Sequence, residues 1–473
     1  MTQTAPAPGV VPVRKAVHPT AVVAIGCFCG IVVALTQTMI IPLVPLLPSL
    51  LHTSSSNASW AVTATLLTGA VTMPISGRLG DMIGKRLILV ISLAMLVVGS
   101  LLCAVTSSVI PVVTGRALQG LSMGAIALGI SIMRDELPAD MVGPAVARMS
   151  ATLGVGGAIG LPVSAIIVEK TDWHVLFWIA AGLGALCMAA VLLTIPESPV
   201  RTPAKFDVLG ALGLGSALVM VLLAVTDGGD WGWTSAKTIG WILGGLVVFV
   251  LWGAWELRNK APLVDLRTSA RPQVLFTNIA SVATGFAMYG MSLMPIQLLV
   301  APGHTGYGEG LTLIQAGLVC MPSGLMMYLF SGVGARLSAA RGPRISLATG
   351  VVILGISYVA ILFLRDQWWE ICLATALLGV GIGIAYAAMP ALIMGAVPVT
   401  ETAAANGLNA LMRSVGTSLS SAVVATVLAQ GTIKIDGITY PTDHAFTIAF
   451  LISLAAAGLA LVLALAVPRQ QID

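Results

Sequence analysis

The sequence predicts an all-α integral membrane protein of fourteen transmembrane helices, arranged as two six-helix halves plus an inserted helix pair. Its 473 residues are 57% hydrophobic and only 9% charged, whereas a soluble domain carries roughly 25% charged residues. Fourteen segments are apolar for long enough to cross the hydrocarbon core, which takes about 20 residues in a helix. Two basic loops of similar sequence, far apart in the chain, indicate that a set of helices is duplicated.

The apolar segments give the predicted spans, each to within a few residues. They cover 20–47, 57–77, 87–107, 109–133, 143–168, 174–195, 208–226, 237–257, 273–300, 311–333, 345–364, 369–396, 402–430 and 445–467. Residues 1–19 are rich in Pro and Ala and are predicted to form a disordered cytoplasmic tail. The first apolar run is too long for the core of a signal peptide, so we expect it to be a retained span.

The basic residues predict the orientation. An even number of spans places both termini on one side of the membrane. If that side is the cytoplasm, seventeen of the 23 Lys and Arg residues fall in cytoplasmic segments and four in external loops, as the positive-inside rule requires. The remaining two, Arg116 and Arg413, lie inside spans. We therefore expect a multi-pass protein of the plasma (inner) membrane with both termini cytoplasmic.

The duplicated loops set the predicted domain organisation. The loop after span 2 reads GRLGDMIGKR (Gly77–Arg86), and the loop after span 10 reads ARLSAARGPR (Ala335–Arg344). Each follows the second span of a six-span half, and internal duplication is common among secondary transporters. The predicted halves are residues 20–200 and 261–473, and spans 7 and 8 form the inserted pair in residues 201–260.

Several motifs resemble the major facilitator superfamily, in its fourteen-span branch that includes drug:proton antiporters. GRLGDMIGKR is similar to the G-x-L-x-D-x-x-G-[KR]-[KR] loop of that family, and RALQG (Arg116–Gly120) is similar to its R-x-x-Q-G element. GVGGAIGLP (Gly154–Pro162) resembles the glycine–proline element of span 5 that is associated with exporters. The resemblance implies a secondary active exporter of a drug, antibiotic or amphipathic metabolite, working as a monomer by proton-coupled antiport and alternating access.

Two departures from the family pattern affect these expectations. The branch usually carries an acidic residue in span 1, where this chain has Thr36, so the usual proton-coupling group is missing. The span-5 element normally reads G-P-x-x-G-G, whereas here Gly160 is followed by Leu161 and Pro162. The first departure bears on proton coupling, and the second weakens the exporter signal.

The loop after span 2 is expected to act as a gate. In the family, the equivalent of Asp81 faces the N-terminus of span 13, where free N–H groups and the helix dipole favour an anion, and Thr400 is the expected N-cap there. The alternative is a solvated loop that only sets topology. The predicted gating residues are Gly77, Asp81, Gly84, Lys85 and Arg86.

Span 5 carries the predicted hinge. Gly156 and Gly160 lie four residues apart on one face, which permits close helix contact, and Pro162 removes a backbone donor and can bend the helix. Simple tight packing explains the same residues equally well.

Polar side chains inside the spans predict the substrate pathway. Asn406, Asn409 and Arg413 recur at helical spacing on span 13, and a polar stripe on a membrane helix must face a water-filled cavity or other polar groups. Structural hydrogen bonding and packing are the alternatives for all of these side chains. The full set of pathway candidates is Thr36, Gln37, Arg116, Gln119, Asn278, Met288, Asn406, Asn409 and Arg413.

No Asp or Glu stands out inside a predicted span, so the proton carrier is open. Glu169 is the first candidate if it folds towards Arg116, followed by Asp135 and Glu136, although an ordinary loop acid fits Glu169 as well. Two intramembrane arginines without an acid predict an electropositive cavity, because Arg stays protonated. The expected substrate is anionic, zwitterionic or neutral and amphipathic.

Two functions other than export are compatible with a membrane protein of this kind, and the sequence bears on each. A facilitator or anion exchanger without proton coupling would let the substrate neutralise the arginines. A membrane-embedded enzyme would need paired carboxylates, a His/Asp pair or a metal cluster near one face, and the sequence offers none of these. It has no G-x-x-x-x-G-K-[ST] loop for ATP and no extended basic face for nucleic acid. We therefore expect no enzyme activity, no cofactor and no metal.

Overall fold

A computed structural model describes residues 18–44, 46–198, 200–435 and 438–468. Within them, fourteen helices are long and apolar enough to cross a membrane, which confirms the predicted fold class. Of the predicted tail, residues 1–17 lie outside the described part. The helices are α1 (Pro19–Thr38), α2 (Ser55–Ile83), α3 (Lys85–Ala104), α4 (Val109–Glu136), α5 (Ala139–Lys170), α6 (His174–Thr194), α7 (Val208–Trp231), α8 (Ala236–Arg258), α9 (Pro272–Val300), α10 (Leu313–Arg341), α11 (Pro343–Phe363), α12 (Trp368–Met394), α13 (Thr402–Gln430) and α14 (Asp443–Ala466).

The same packing pattern recurs in the first six and the last six helices. In the first set α1 packs on α4, α5 and α6, α2 packs on α4, and α3 packs on α4 and α6. In the second set α9 packs on α12, α13 and α14, α10 packs on α12, and α11 packs on α12 and α14. Every pair of the first set therefore has its counterpart eight helices later, as two six-helix halves require.

The inserted helices α7 and α8 pack on each other beside the bundle. Helix α7 also contacts α2 and α13, one from each half. Helix α8 directs apolar side chains outwards, with Val250 72% and Leu251 65% exposed. Such a surface suits lipid rather than water.

We call the end of the bundle that carries the start of α1 and the end of α14 the terminal face. The two duplicated segments lie there, and both are more helical than predicted. Helix α2 runs on to Ile83 and α10 to Arg341, and each breaks at a glycine, Gly84 (φ 142°) and Gly342 (φ 87°). A positive φ is strained for other residues. Gly77 and Gly80 are therefore helical rather than part of a turn, which corrects the prediction.

Three further details differ from the predicted spans. Helix α1 ends at Thr38, and the chain continues through a 3-10 turn at Ile41–Leu43 and a short helix at Leu47–Leu50. Helix α4 contains a 3-10 turn at Leu121–Gly124. An antiparallel hairpin of β1 (Thr432–Ile435) and β2 (Ile438–Pro441) joins α13 to α14. Apolar periodicity carries no signal for such local changes of backbone.

Candidate functional site

Arg116 is buried inside the first half and is bonded to uncharged acceptors. Only 1% of it is exposed. Its Nε donates to the carbonyl oxygen of Ala61 on α2 (3.0 Å), and its NH1 donates to the carbonyl of Thr36 on α1 (3.2 Å) and to Gln119 Oε1 (2.6 Å). Gln119 in turn donates to Ser100 Oγ on α3 (2.7 Å). This network joins four helices, and backbone dipoles take the place of a counter-ion.

Thr36 lies at a small, mostly apolar cavity in the first half. Thr36 is 2% exposed, and its hydroxyl donates within its own helix to Val33 (2.8 Å). Thr36, Arg116 and Gln119 line one side of a cavity whose other walls are apolar side chains of α6 and of the segment that follows α1. Its size suits about one water molecule. Gln37 is half-buried, and its Nε2 has no hydrogen-bond partner among the described residues.

In the second half, the polar stripe of α13 meets α9. Asn409 Nδ2 donates to Asn278 Oδ1 (3.0 Å) and to Ser281 Oγ (2.8 Å) of α9, and all three residues are buried. Arg413 NH1 donates to Asn409 Oδ1 (3.0 Å). The arginine thus ends a continuous chain of hydrogen bonds between the two helices.

Arg413, the other arginine predicted inside a span, is also buried, and an aromatic ring faces it. Its guanidinium carbon lies 5.0 Å from the ring centroid of Tyr386 on α12, which is cation–π distance. No salt bridge to Arg413 is found in the part of the chain that the structure describes. Asn406 donates within its own helix to Thr402, and its buried Oδ1 has no described partner. Met288 is half-buried against the core of the second half.

At the terminal face, Asp81 binds the first turn of α13. Its two carboxylate oxygens accept hydrogen bonds from the backbone N–H groups of Ala403 (3.3 Å) and Ala404 (2.9 Å). Helix approach is close here, because a Cβ on Gly77 would lie only 2.3 Å from the Ala403 carbonyl oxygen. Free N–H groups and the helix dipole favour a carboxylate at this position. The gating segment of one half therefore touches the other half directly.

Two more contacts between the halves lie beside Asp81, and sequence reasoning missed both. Arg134 NH1 at the end of α4 donates to Thr402 Oγ1 (2.6 Å). Thr202, in the linker between α6 and α7, donates its N–H to the Asp81 carbonyl (2.8 Å) and its hydroxyl to the Thr400 carbonyl (3.4 Å). The predicted N-cap role of Thr400 is wrong, because it lies in a 3-10 turn at Val399–Glu401 and the N-terminal amides of α13 bind Asp81 instead.

Lys85, another predicted gating residue, lies in a buried charge cluster. Lys85 Nζ lies 2.6 Å from Asp135 Oδ2 and 3.6 Å from Asp81 Oδ1, and all three side chains are inaccessible. Asp135 also accepts from Ser198 of the linker. Glu197 accepts from the backbone N–H groups of Arg86 (3.1 Å) and Leu87 (3.2 Å) at the start of α3. The linker therefore stabilises the gate, a contact that no local motif indicated.

The predicted hinge residues pack in two directions. A Cβ on Gly156 would lie 2.5 Å from Ala34 Cβ, and one on Gly160 would lie 2.0 Å from Thr38 Oγ1, so both face α1 within the same half. Pro162 lies on the other side, next to Gly317 of α10 in the second half. Helix α5 is continuous through Pro162.

The proton-carrier candidates are spread over the molecule. Glu169 is exposed at the end of α5 and is not brought to Arg116, while Asp135 and Glu136 lie at the end of α4. In the loop after Glu169, hydrogen bonds from the backbone and ring of His174 hold the pKa of Asp172 below its usual range. The expectation of no acid inside a span needs correction, because Glu256 lies in α8 and is only 2% exposed.

Comparisons with known proteins identify the family. The model of the Major Facilitator Superfamily matches residues 26–421, with a second match at 278–472. An uncharacterized MFS-type transporter of Mycobacterium tuberculosis is 26% identical over 87% of this chain, which spans 59% of that relative's length. The multidrug resistance protein Stp of the same organism is 26% identical over 78% of the chain and 68% of its own length. The tetracenomycin C resistance and export protein of Streptomyces glaucescens is 27% identical over 84% of this chain and 74% of its own length.

A solved structure supports the fold. The human organic anion transporter MFSD10 (TETRAN) superposes with a TM-score of 0.66 at 15% identity, covering 94% of this chain and 99% of its own. At that identity the likeness concerns the fold alone. The fourteen apolar helices make this a multi-pass membrane protein. Together with the match of the family model over most of its length, they show that the chain belongs to the Major Facilitator Superfamily of membrane transporters.

Proposed function

We propose that the protein is a secondary active exporter of a drug, antibiotic or amphipathic metabolite, driven by proton antiport through alternating access. The terminal face is then cytoplasmic, in the plasma membrane, and the protein works as a monomer. The positive-inside bias of the basic residues supports this orientation. The relatives that are a multidrug resistance protein and an antibiotic exporter support the direction of transport.

One observation carries alternating access. At the terminal face the halves are joined by polar contacts, with Asp81 on the α13 amides and Arg134 on Thr402. Each half has a large hydrophobic cluster made mostly of its own residues, and a smaller one joins apolar side chains of α2 and α13 across the boundary. Such polar contacts break and re-form when one half rotates against the other, without unfolding of either half. In the state with these contacts formed, the pathway is closed towards the cytoplasm.

The buried arginines support the substrate class. Arg116 makes three hydrogen bonds to carbonyl and amide oxygens of its own half, so we assign it a structural role beside the cavity. Arg413 bonds to Asn409 and faces Tyr386 with no described salt bridge. An electropositive, aromatic environment of this kind disfavours permanent cations and suits anionic, zwitterionic or neutral amphipathic compounds.

The test is a susceptibility panel in a pump-deleted bacterial host that expresses the protein. The compounds are an anionic quinolone, a zwitterionic tetracycline and the permanent cation ethidium, each with and without a protonophore. The proposal expects protection against an anionic or zwitterionic compound and loss of protection when the proton gradient collapses. Protection against no compound, with the protein present in the membrane, would count against export.

A second candidate is anion exchange without protons, and the same Arg413 environment favours it. A substrate anion would then neutralise the guanidinium in place of a protein carboxylate. Addition of substrate to energised vesicles separates the two functions. Antiport predicts a proton flux that follows substrate addition, whereas exchange predicts substrate flux that depends on a counter-anion and moves no protons.

A further inference from the structure

The inserted pair carries a buried acidic site where α7 and α8 meet at the terminal face. Asp207 caps the N-terminus of α7 and is 8% exposed. Its carboxylate accepts from the Gly210 amide (2.8 Å), from Trp255 Nε1 (3.1 and 3.2 Å) and from Asn259 Nδ2 (2.6 Å). Three N–H donors therefore satisfy both oxygens of this carboxylate.

Glu256 lies beside Asp207, and the donors nearest to it are poorly placed. The backbone N–H groups of Leu263 and Val264 and the indole N–H of Trp252 lie near its carboxyl group but outside hydrogen-bonding geometry. Glu256 is 2% exposed, and neither of its carboxyl oxygens has a hydrogen-bond partner among the described residues. The indole N–H of Trp252, one turn earlier on α8, is also buried without a partner. A Cβ on Gly210 would lie 2.4 Å from Asp207 Oδ2 and 2.6 Å from Glu256 Oε1, so the two carboxyl oxygens are at most about 5 Å apart.

The contrast between the two groups decides which one carries charge. A buried carboxylate without well-formed hydrogen bonds is costly to ionise, and a second negative charge at this distance makes it costlier. A neutral carboxyl group avoids both costs. We propose that Asp207 and Glu256 form a proton-binding pair, in which Asp207 holds the charge and Glu256 holds the coupling proton.

A metal or sodium ion fits this site poorly. Hard cations need several oxygen ligands, but the Asp207 oxygens are already turned towards N–H donors. Of the charged groups on neighbouring elements, Asp207 is the one that acts on Glu256. Arg78 of α2, Asp265 of the following loop and Glu401 before α13 line an adjoining cavity instead.

The position of the pair connects it to the gate. The backbone of Leu263 and Val264, which follows α8, lies next to the Glu256 carboxyl group. The same two residues are buried and line the adjoining cavity together with Arg78 and with Ala404, one of the two residues whose amides bind Asp81. Loss of the proton from Glu256 therefore adds a negative charge next to Leu263 and Val264, which share this cavity with Ala404 of the gate. This coupling role rests on the proposed function, whereas proton binding itself does not.

Proton binding is tested on the purified full-length protein in lipid nanodiscs. Infrared difference spectra across a pH titration report the carboxyl C=O band of a protonated acid. Tryptophan fluorescence reports the same step, because Trp252 and Trp255 flank the pair. We expect Glu256→Gln to remove the step from both signals and Glu256→Asp to restore a shifted one. Glu309→Gln, in the loop between α9 and α10, is the matched control and should leave the step unchanged.

Transport is tested in parallel with the compound that the susceptibility panel identifies. With Glu256→Gln we expect loss of transport driven by a pH gradient and retention of downhill flux, which also shows that the variant folds. A titration step that survives Glu256→Gln overturns the proton site. If the rate of wild-type transport does not depend on the pH gradient while the titration step is present, the proposed antiport is wrong and the proton site is retained. If Glu256→Gln removes the step but keeps gradient-driven transport, the coupling role is overturned.

Discussion

Removal of the Asp81 charge is expected to open the terminal face. Asp81→Asn keeps the size of the side chain but removes the anion that two α13 amides bind. The cluster behind it survives, since Lys85 retains Asp135 at 2.6 Å. A charge at a helix N-terminus contributes up to about 2 kcal/mol in partly buried geometry. A loss of about 1–2 kcal/mol changes the ratio of closed to open molecules by a factor of about 5–30.

Double electron–electron resonance measures this ratio. Spin labels at Leu193 on α6 and Ile345 on α11 are exposed at the terminal face and belong to different halves. In a background without the native cysteines, we expect Asp81→Asn to add a population at longer distance. The control is Asp140→Asn, the same change at an exposed acid in the first turn of α5. An unchanged distribution for Asp81→Asn would refute the assignment of this contact as a gate.

Three further predictions concern Gly77 at the terminal face and the buried networks around Arg116 and Asn409. Gly77→Ala places a methyl group 2.3 Å from the Ala403 carbonyl oxygen and should increase the population at longer spin-label distance. Gly182→Ala is the control and should not change that population, because the space around Gly182 is open. Arg116→Lys keeps the charge but loses the planar guanidinium that reaches three acceptors. The melting temperature in detergent should therefore fall, because each lost hydrogen bond contributes about 1.5–3 kcal/mol to the free energy of unfolding. An unchanged melting temperature would argue against the structural role of Arg116. Asn409→Leu leaves Arg413 without its acceptor, so the apparent KM should rise more for an anionic compound than for a neutral one. Equal changes in KM for the two compounds would show that Arg413 does not select the substrate.

Composition and apolar run length predicted the number and order of the helices because a lipid environment forces both. Arg116 and Gln119 are three residues apart, which places them on one face of a helix, and the two side chains bond there. The partners of Arg116 on α1 and α2 are backbone carbonyl groups, and these carry no residue-type signal. The described acceptors of Arg116 are therefore uncharged, and no acidic residue in the sequence could indicate them.

The acids were harder to interpret from sequence, because burial at a helix end depends on distant segments. Glu256 is near the end of a predicted span, where an acid normally reaches water, and the segment at Leu263 and Val264 covers it. Glu197 caps α3 from the linker after α6. The signal that existed was the position of Glu256 inside an apolar window, three residues before a loop.

The most direct test of coupled export uses the purified protein in proteoliposomes. An imposed pH gradient is applied, and the flux of the compound identified by the susceptibility panel is recorded together with internal pH. The account predicts that the compound accumulates against its own gradient, that protons move in the opposite direction, and that a protonophore abolishes both. Flux that only equilibrates the compound, at a rate unaffected by the pH gradient, would contradict it.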